Sequence, residues 1–462
     1  MALTTSFLDE ILVFLPSDAV RYHDLEDFGR DETDDYCFEP DLVVFPGSAE
    51  ETARILALCN RYKVPVTCRG GGTGLSGGAL PVRGGLVLST DRLNRILHID
   101  TANLQVTVEP GVITQVLQES VAEFGLYYPP DPSSRGTCTL GGNLAESAGG
   151  PHAFKYGTTR DYVLNLQVAL MDGSLIWTGA NVTKYATGYH LTQLMVGSEG
   201  TLGVITKAVL RLIPAPGADL LLSAPFYDLE SACRAVSAIQ LAGIRPSAVE
   251  FMEKEALEMS AKFLGINMPF PSDVVAELLI ELDGDSLDQL YPLAERLSEI
   301  LEQEGAGDIR LADQADTKET LWRLRRQIGH AVRAHSTYKE EDTVVPMSAL
   351  PSLMLKVKAL CLKYGVRSVC YGHAGDGNIH VNLLKEQHHD QYWNQTLPTM
   401  IEELFEEVHR LGGTVSGEHG IGWSQKRYMA LVMDPVQIQL MKGIKTVFDP
   451  QGLLNPGKIW EA

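Results

Sequence analysis

The sequence predicts an α+β protein in two parts: a glycine-rich part of short strands and helices, then an antiparallel sheet with helices on one face. Three observations predict it. Glycine clusters punctuate the first half, at 70–78, 141–150 and 197–203. Beyond Pro214-Ala215-Pro216-Gly217, strand-like apolar runs outnumber what parallel crossovers would allow. Residues 371–382 read Tyr-Gly-His-Ala-Gly-Asp-Gly-Asn-Ile-His-Val-Asn, two short strands around a glycine turn. The expected boundaries are a lead-in over 1–36, a first domain over 37–214, a cap over 215–425, and C-terminal helices and a tail over 426–462 that return to the first domain.

A chain of 462 residues with 45% hydrophobic and 21% charged residues is an ordinary globular composition, long enough for a large core. The net charge of −21 argues against nucleic acid and anionic membrane surfaces as main partners. The 7 cysteines include no Cys-x-x-Cys pair, so the pattern is neither a disulfide framework nor an iron–sulfur run, and a reducing compartment is expected. No Lys or Arg precedes Arg21, and the early apolar run Ile11 to Leu15 is shorter than a signal-peptide core or a membrane span. The expected location is the cytoplasm, with peripheral docking at the inner membrane face as the variant.

In the first half, Ser48 and Glu51 have capping-box spacing ahead of a helix with Ile55, Leu56 and Cys59 on its apolar face. The strand Pro65 to Cys68 runs into Arg69-Gly70-Gly71-Gly72-Thr73-Gly74-Leu75-Ser76-Gly77-Gly78. Gly72, Gly74 and Gly77 form a literal G-x-G-x-x-G, but that fingerprint must open a helix. Here Pro81, Gly84 and Gly85 lead into the strand Leu86 to Leu88 instead. What survives is a loop whose amides form an anion nest. A strand over Leu104 to Val108, a helix from Thr114 to Phe124, and strands over Val163 to Leu170 and Ser174 to Thr178 around Asp172-Gly173 follow.

The cap is expected to alternate strands and helices. The strands are Leu220 to Pro225, Ser247 to Met252, Val274 to Leu282, Ile309 to Ala312 and Thr343 to Val345. The helices are Leu229 to Ala242, Leu287 to Glu304, Lys318 to His335, Leu350 to Tyr364 and Met400 to Leu411. Period-2 alternation puts His380 and Asn382 on one strand face, and the glycines let His373 approach that face. Glu418, in Ser416-Gly417-Glu418-His419-Gly420, can join them as a third ligand. Two imidazoles and a carboxylate suit zinc with an open fourth position or a non-haem iron triad.

Residues 37–214 resemble the FAD-binding domain of vanillyl-alcohol oxidase and p-cresol methylhydroxylase type flavoproteins. Nearly the whole chain resembles the branch holding D-lactate dehydrogenase, the large subunit of glycolate oxidase and D-2-hydroxyglutarate dehydrogenase. The carrying motifs are Arg69 to Gly78, Pro129 to Ser134, Gly141 to Gly150, Gly197 to Thr206 and Asn455-Pro456-Gly457-Lys458. The resemblance implies non-covalent FAD with its pyrophosphate on Gly70, Gly71, Gly72, Thr73, Gly74, Leu75 and Ser76. It carries further cofactor contacts onto Pro130, Asp131, Ser133, Gly141, Gly142, Asn143, Ala148, Gly150, Thr158, Glu199, Gly200, Ile205 and Asn455. It implies a divalent metal, zinc first with manganese or iron as alternatives, on His373, His380 and Glu418, and His419 as the base. Arg325 matches a substrate-binding arginine, and Asn382 a residue near the substrate. A family lysine falls by spacing on Glu340, one place from Lys339, which is taken as the substrate residue. Members acting on 2-hydroxyglutarate have a threonine four residues after the arginine, where this chain has Gly329, so a short monocarboxylate is favoured.

The implied activity is oxidation of D-lactate or glycolate to the 2-oxo acid by hydride transfer to flavin. The alternatives are a glycolate oxidase catalytic subunit, a D-2-hydroxyglutarate dehydrogenase, a non-catalytic flavin-binding subunit and an NADPH-fed reductase. The implied acceptor is external: a quinone, a cytochrome, an electron-transfer flavoprotein or an iron–sulfur subunit. A homodimer is the assembly left open.

Overall fold

The computed structural model describes residues 3–33, 36–267 and 270–460, so residues 1–2, 34–35 and 461–462 of the expected lead-in and tail lie outside the described residues. The chain divides into two compact units, Met1–Gly149 with Thr158–Ala215 and Glu418–Ala462, and Gly150–Gly157 with Pro216–Gly417. The second unit thus ends between Gly417 and Glu418 rather than at 425, and it takes an eight-residue excursion from the first half of the chain.

The first unit holds a four-stranded sheet in the order Val20–Arg21, Leu42–Val44, Leu86–Ser89, Val66–Arg69, the last three parallel. Parallel strands are covered on both faces and read as continuous apolar runs, and Leu42, Val43, Val44, Leu86, Val87 and Leu88 are all fully buried. Helix Ala49–Tyr62 packs on this sheet and starts as its spacing predicts. The Ser48 hydroxyl accepts from the Glu51 amide at 3.1 Å, while the Glu51 carboxylate reaches back one residue further than a capping box, to the Gly47 amide at 2.7 Å. A five-stranded antiparallel sheet follows in the order Ile96–Asp100, Gln105–Val108, Val204–Arg211, Val163–Ala169, Leu175–Trp177. The last two strands are joined through the Asp172-Gly173 turn, with Gly173 at φ 87° and the Asp172 carboxylate accepting from the Ser174 amide.

The second unit is built on a seven-stranded sheet in the order Arg310–Ala312, Ala218–Phe226, Ala276–Gly284, Ala248–Glu253, Arg367–His373, Asn378–Leu384, Tyr338–Val344. Every neighbouring pair is antiparallel. The expected helix over Lys318 to His335 is two helices, Ala315–Arg326 and Ile328–His335, broken at Gln327. An additional helix, Lys254–Leu264, follows directly on a strand.

Helices cover both faces of this sheet, a correction to the one-faced expectation. Leu229–Leu241, Leu287–Gln303, Leu350–Tyr364 and Asp390–Arg410 form one layer. On the other face, Ala256, Leu257, Ile328 and Val332 pack with Leu221, Met252, Leu279, Val369, Tyr371 and Leu384 in one core cluster. The strands are buried on both sides, so alternation in the sequence marks chemistry rather than exposure.

Candidate active site

The register assigns side chains to faces, because residues directly opposite in an antiparallel pair point the same way. Met252 pairs with Tyr371, Tyr371 with His380, and His380 with Asp342; Val369 pairs with Asn382, and Asn382 with Glu340. With a period of two, Glu250, Tyr371, His373, His380, Asn382, Glu340 and Asp342 therefore share one face. Lys339 pairs with Leu383 and lies on the opposite face. The strand parity thus puts Glu340 on the face of His380 and Asn382 and Lys339 on the other.

His373 and His380 are buried, and their rings lie 5.4 Å apart, centroid to centroid, nearly perpendicular. His373 Nδ1 is 2.7 Å from Glu250 Oε1. His380 Nδ1 is 3.4 Å from Glu340 Oε1 and 3.7 Å from Asp342 Oδ1. His373 is thus hydrogen-bonded to a carboxylate at Nδ1, whereas His380 Nδ1 has carboxylates only at ion-pair distance. Arg325, on helix Ala315–Arg326, is buried, with Nε 2.7 Å and Nη2 2.6 Å from Glu250 Oε2, and its guanidinium lies 4.8 Å over the Tyr371 ring. Burial pushes the Glu250 carboxyl up, but His373 and Arg325 together outweigh it and hold it below its ordinary value. Burial, with the Glu340 carboxylate, pushes the Tyr371 phenol well up. Asn382 is fully buried, its amide donating to the Val369 carbonyl. Gly329 faces the Tyr371 hydroxyl, which a Cβ there would meet at 3.3 Å.

Asp342 ties down the chain that leads to Glu418. It accepts from the Gly417 amide at 2.8 Å, the Ser416 hydroxyl at 2.8 Å and the Asn378 amide at 2.7 Å. Gly417 has no alternative, because a Cβ there would sit 2.6 Å from the Asn378 side chain.

Within the first unit, Glu418 lies against Gly149, where a Cβ would come 2.7 Å from its carboxylate. The turn after His419 is held by Glu199, which accepts from the Ile421 and Gly422 amides at 2.8 and 2.6 Å. Beside Gly420 stands Glu146; burial, then the Glu199 charge, raises its carboxyl well above its ordinary range.

The glycine loop leaves the end of strand Val66–Arg69. It is seated tightly: a Cβ on Gly70 would meet Thr139 Oγ1 at 2.4 Å, and one on Gly71 the Thr137 carbonyl at 2.6 Å, whereas Gly74 faces open space. Gly141 and Gly142 open helix Leu140–Glu146, and a Cβ on Gly141 would strike Pro110 at 2.7 Å. Asn143 is buried and donates to Thr114 Oγ1 at 2.6 Å. Asn455, at φ 43°, donates to the carbonyls of Gly78 and Glu199 at 3.0 and 2.7 Å. Asn143, Glu199 and Asn455 therefore brace the walls of the loop with their polar atoms. The Ala148 carbonyl accepts from the Thr159 amide and hydroxyl, Thr158 caps the turn over Thr159–Tyr162, Gly200 is left-handed at φ 64°, and Ile205 lies in strand Val204–Arg211. Gly150 falls in the excursion that belongs to the second unit. Pro130 and Asp131 are buried and Ser133 is exposed. Burial pushes the Cys68 thiol up to about 12, which leaves it no thiolate for a covalent tether at neutral pH.

Two family models match the chain: "FAD binding domain" over residues 40–179 and "FAD linked oxidases, C-terminal domain" over residues 215–459. The chain belongs to the FAD-linked oxidase family. It is an FAD-linked oxidoreductase of the p-cresol methylhydroxylase and vanillyl-alcohol oxidase fold type. The D-lactate dehydrogenase of Anaerostipes hadrus is 38% identical over 94% of this chain and 92% of its own length. The glycolate oxidase subunit GlcD of Bacillus subtilis is 38% identical over 94% of this chain and 92% of its own. The D-lactate dehydrogenase of Archaeoglobus fulgidus is 37% identical over 98% and 99%. The solved structure of p-cresol methylhydroxylase superposes with a TM-score of 0.82 over 99% of this chain and 97% of that one, at 18% identity, a likeness of fold.

The residues present fit FAD: among the described residues, the buried hydroxyls of Ser76 and Thr139 at the glycine loop have no hydrogen-bond partner, and Gly74 faces open space. The donors of the second unit fit a divalent cation. His373, held at Nδ1 by Glu250, would present Nε2 to a metal with its tautomer fixed. No helix among the described residues is long and apolar enough to cross a membrane.

Neither Glu250 nor Asp342 is among the site residues singled out from the sequence. A signal was present for the first: in Ala248-Val249-Glu250-Phe251-Met252 a lone acid interrupts an apolar strand run, and a buried acid requires a partner.

Proposed function

We propose that this protein is an FAD- and divalent-metal-dependent 2-hydroxyacid dehydrogenase that oxidises D-lactate or glycolate to the 2-oxo acid. The observation that carries the reading is one sheet face bearing His373 and His380, each backed by a carboxylate, with the buried Arg325 on the same cluster. D-lactate dehydrogenase and glycolate oxidase relatives at 37–38% identity support it.

His373, His380 and Glu418 hold the cation, and Arg325 binds the substrate carboxylate. Glu250 accepts from Nε of Arg325, while Nη2, 2.6 Å from the same oxygen, has no hydrogen-bond partner among the described residues, so the guanidinium keeps a donor for an incoming carboxylate. When bound, the cation supplies the charge that acidifies the substrate hydroxyl, and FAD supplies the acceptor for the electron pair that leaves Cα. His419 takes the hydroxyl proton. Asn382 borders the substrate on the His380 face, and Tyr371 packs against Arg325 and excludes water. Gly329 brings no hydrogen-bonding side chain to the Tyr371 hydroxyl, so no second substrate carboxylate is recognised there and a short monocarboxylate is favoured. With FAD bound, the electrons taken from substrate would leave to an external quinone, cytochrome, electron-transfer flavoprotein or iron–sulfur subunit. The GlcD relative is named as an oxidase subunit, which favours working as the catalytic member of a complex as the second reading.

Anaerobic mixing with D-lactate, L-lactate and glycolate decides the matter. Bleaching of the flavin by D-lactate or glycolate and not by L-lactate is the expected result. No bleaching by any 2-hydroxy acid, or bleaching by NADPH alone, refutes the reading.

A further inference from the structure

Glu250 is fully buried in the middle of the antiparallel sheet, on strand Ala248–Glu253. Its two oxygens serve different elements. Oε1 meets His373 Nδ1, from strand Arg367–His373, at 2.7 Å. Oε2 meets Arg325 Nε at 2.7 Å and Nη2 at 2.6 Å, from helix Ala315–Arg326. We propose that Glu250 is the positioning residue of this site, one carboxylate that sets both the metal-facing imidazole and the guanidinium that receives the substrate carboxylate. The proposal rests on the reading of His373 as a metal ligand and Arg325 as the substrate clamp.

The chemistry of the pair leaves little freedom. An ionised carboxylate has no proton to give, so His373 Nδ1 is the donor and Nε2 carries the lone pair. That fixes the tautomer a cation needs and raises the basicity of the ring. On the other side, Glu250 occupies the Nε/Nη2 edge of Arg325, and the Tyr371 ring, 4.8 Å away, covers one face of the guanidinium. The ion pair and the ring contact hold the fork in place, and Nη2 is left without a hydrogen-bond partner among the described residues. Because Oε1 and Oε2 belong to one rigid carboxylate, the distance between the metal-facing nitrogen and the substrate-facing nitrogens is set by a single group.

Glu250→Gln separates this from a merely structural role. An amide offers one acceptor and one donor where the native group offers two acceptors. If the carbonyl faces Arg325, the NH2 faces His373 and forces the proton onto Nε2, the wrong tautomer for a metal. If the carbonyl faces His373, the NH2 meets the guanidinium. The test uses the full-length FAD-loaded protein, stripped of divalent metal and titrated with Zn²⁺ against a chromogenic chelator, with thermal stability and flavin content measured in parallel. The KM for D-lactate is then measured at saturating Zn²⁺, so that metal occupancy is equal. Glu250→Gln is expected to lower Zn²⁺ affinity by about 10- to 100-fold and to raise KM by about tenfold or more, with flavin content unchanged. If Glu250→Gln does not fold, Glu250→Asp, which keeps the charge but is shorter by one methylene, is expected to move both constants in the same directions by smaller factors. A variant that folds and leaves either constant at its wild-type value overturns the proposal. If wild type itself binds no divalent cation, the functional reading fails first, and this inference falls with it.

Discussion

Glu277 is a carboxylic acid that the proposed chemistry does not use, and it allows a quantitative test of the electrostatics of the sheet. It is fully buried on strand Ala276–Gly284, opposite Met252, with the Ser223 hydroxyl on Oε1 and no partner for Oε2 among the described residues. Burial raises its carboxyl from 4.5 to about 8, against smaller opposing effects of the Ser223 hydroxyl and Arg310. The folded state therefore holds a proton that the unfolded chain releases between pH 4.5 and 8. The stability associated with that proton is complete below pH 4.5 and lost as pH rises through 8. At 1.36 kcal/mol per tenfold change in proton activity, the loss at pH 9 has an upper bound of about 5 kcal/mol. Glu277→Gln keeps an acceptor for Ser223 and never ionises. At pH 5 the variant and the wild type should melt together. At pH 9 the variant should melt several degrees higher, since each kcal/mol moves the midpoint by about 2–4 °C in a unit of roughly 200 residues. Differential scanning calorimetry of the FAD-loaded protein across that pH range is the assay. A gap that does not grow with pH, or a variant less stable at pH 9, would refute the reasoning and show that water or a conformational shift solvates this carboxylate.

Other outcomes follow from the same structure. Asp342→Ala removes the acceptor for the Gly417 amide, the Ser416 hydroxyl and the Asn378 amide; at about 1.5–3 kcal/mol for a bond to a charged group, it should cost several kcal/mol in thermal unfolding. It should also slow flavin reduction by D-lactate at least tenfold in stopped flow, because small misplacements are expensive in rate. His380→Ala should lose metal and turnover but keep the yellow flavin, and His419→Ala should keep both metal and flavin but lose reduction by substrate; elemental analysis and the visible spectrum separate the two. Gly71→Ala drives a Cβ to 2.6 Å from the Thr137 carbonyl, a backbone atom with little room to move, and should reduce bound FAD by about tenfold or more, read from the flavin-to-protein absorbance ratio.

The sequence by itself determined the glycine loop and the histidine turn, because both are written in residues with one strong physical meaning. Six glycines in ten residues have no reason to persist in a helix or a strand, and two histidines on neighbouring strands meet wherever the turn between them closes. Element types were legible for the same reason: Leu350–Tyr364 was read from end to end, and Asp172-Gly173 does reverse the chain. Covering of the sheet was not legible. Both strand faces are apolar or paired, so alternation did not reveal that helix Lys254–Leu264 and the broken pair Ala315–Arg326 and Ile328–His335 lie on the face away from the long helices. The position of Lys339 was decided by strand register, in which one residue exchanges one face for the other and Glu340 takes the place beside His380. Glu250 was decided by the tertiary structure alone. It sits 75 residues before Arg325 and 123 before His373, and no local pattern links such positions. Only sheet order brings a lone acid on one strand against an imidazole on the next and a guanidinium on a covering helix, because a buried carboxylate must find its counter-charges wherever the fold provides them.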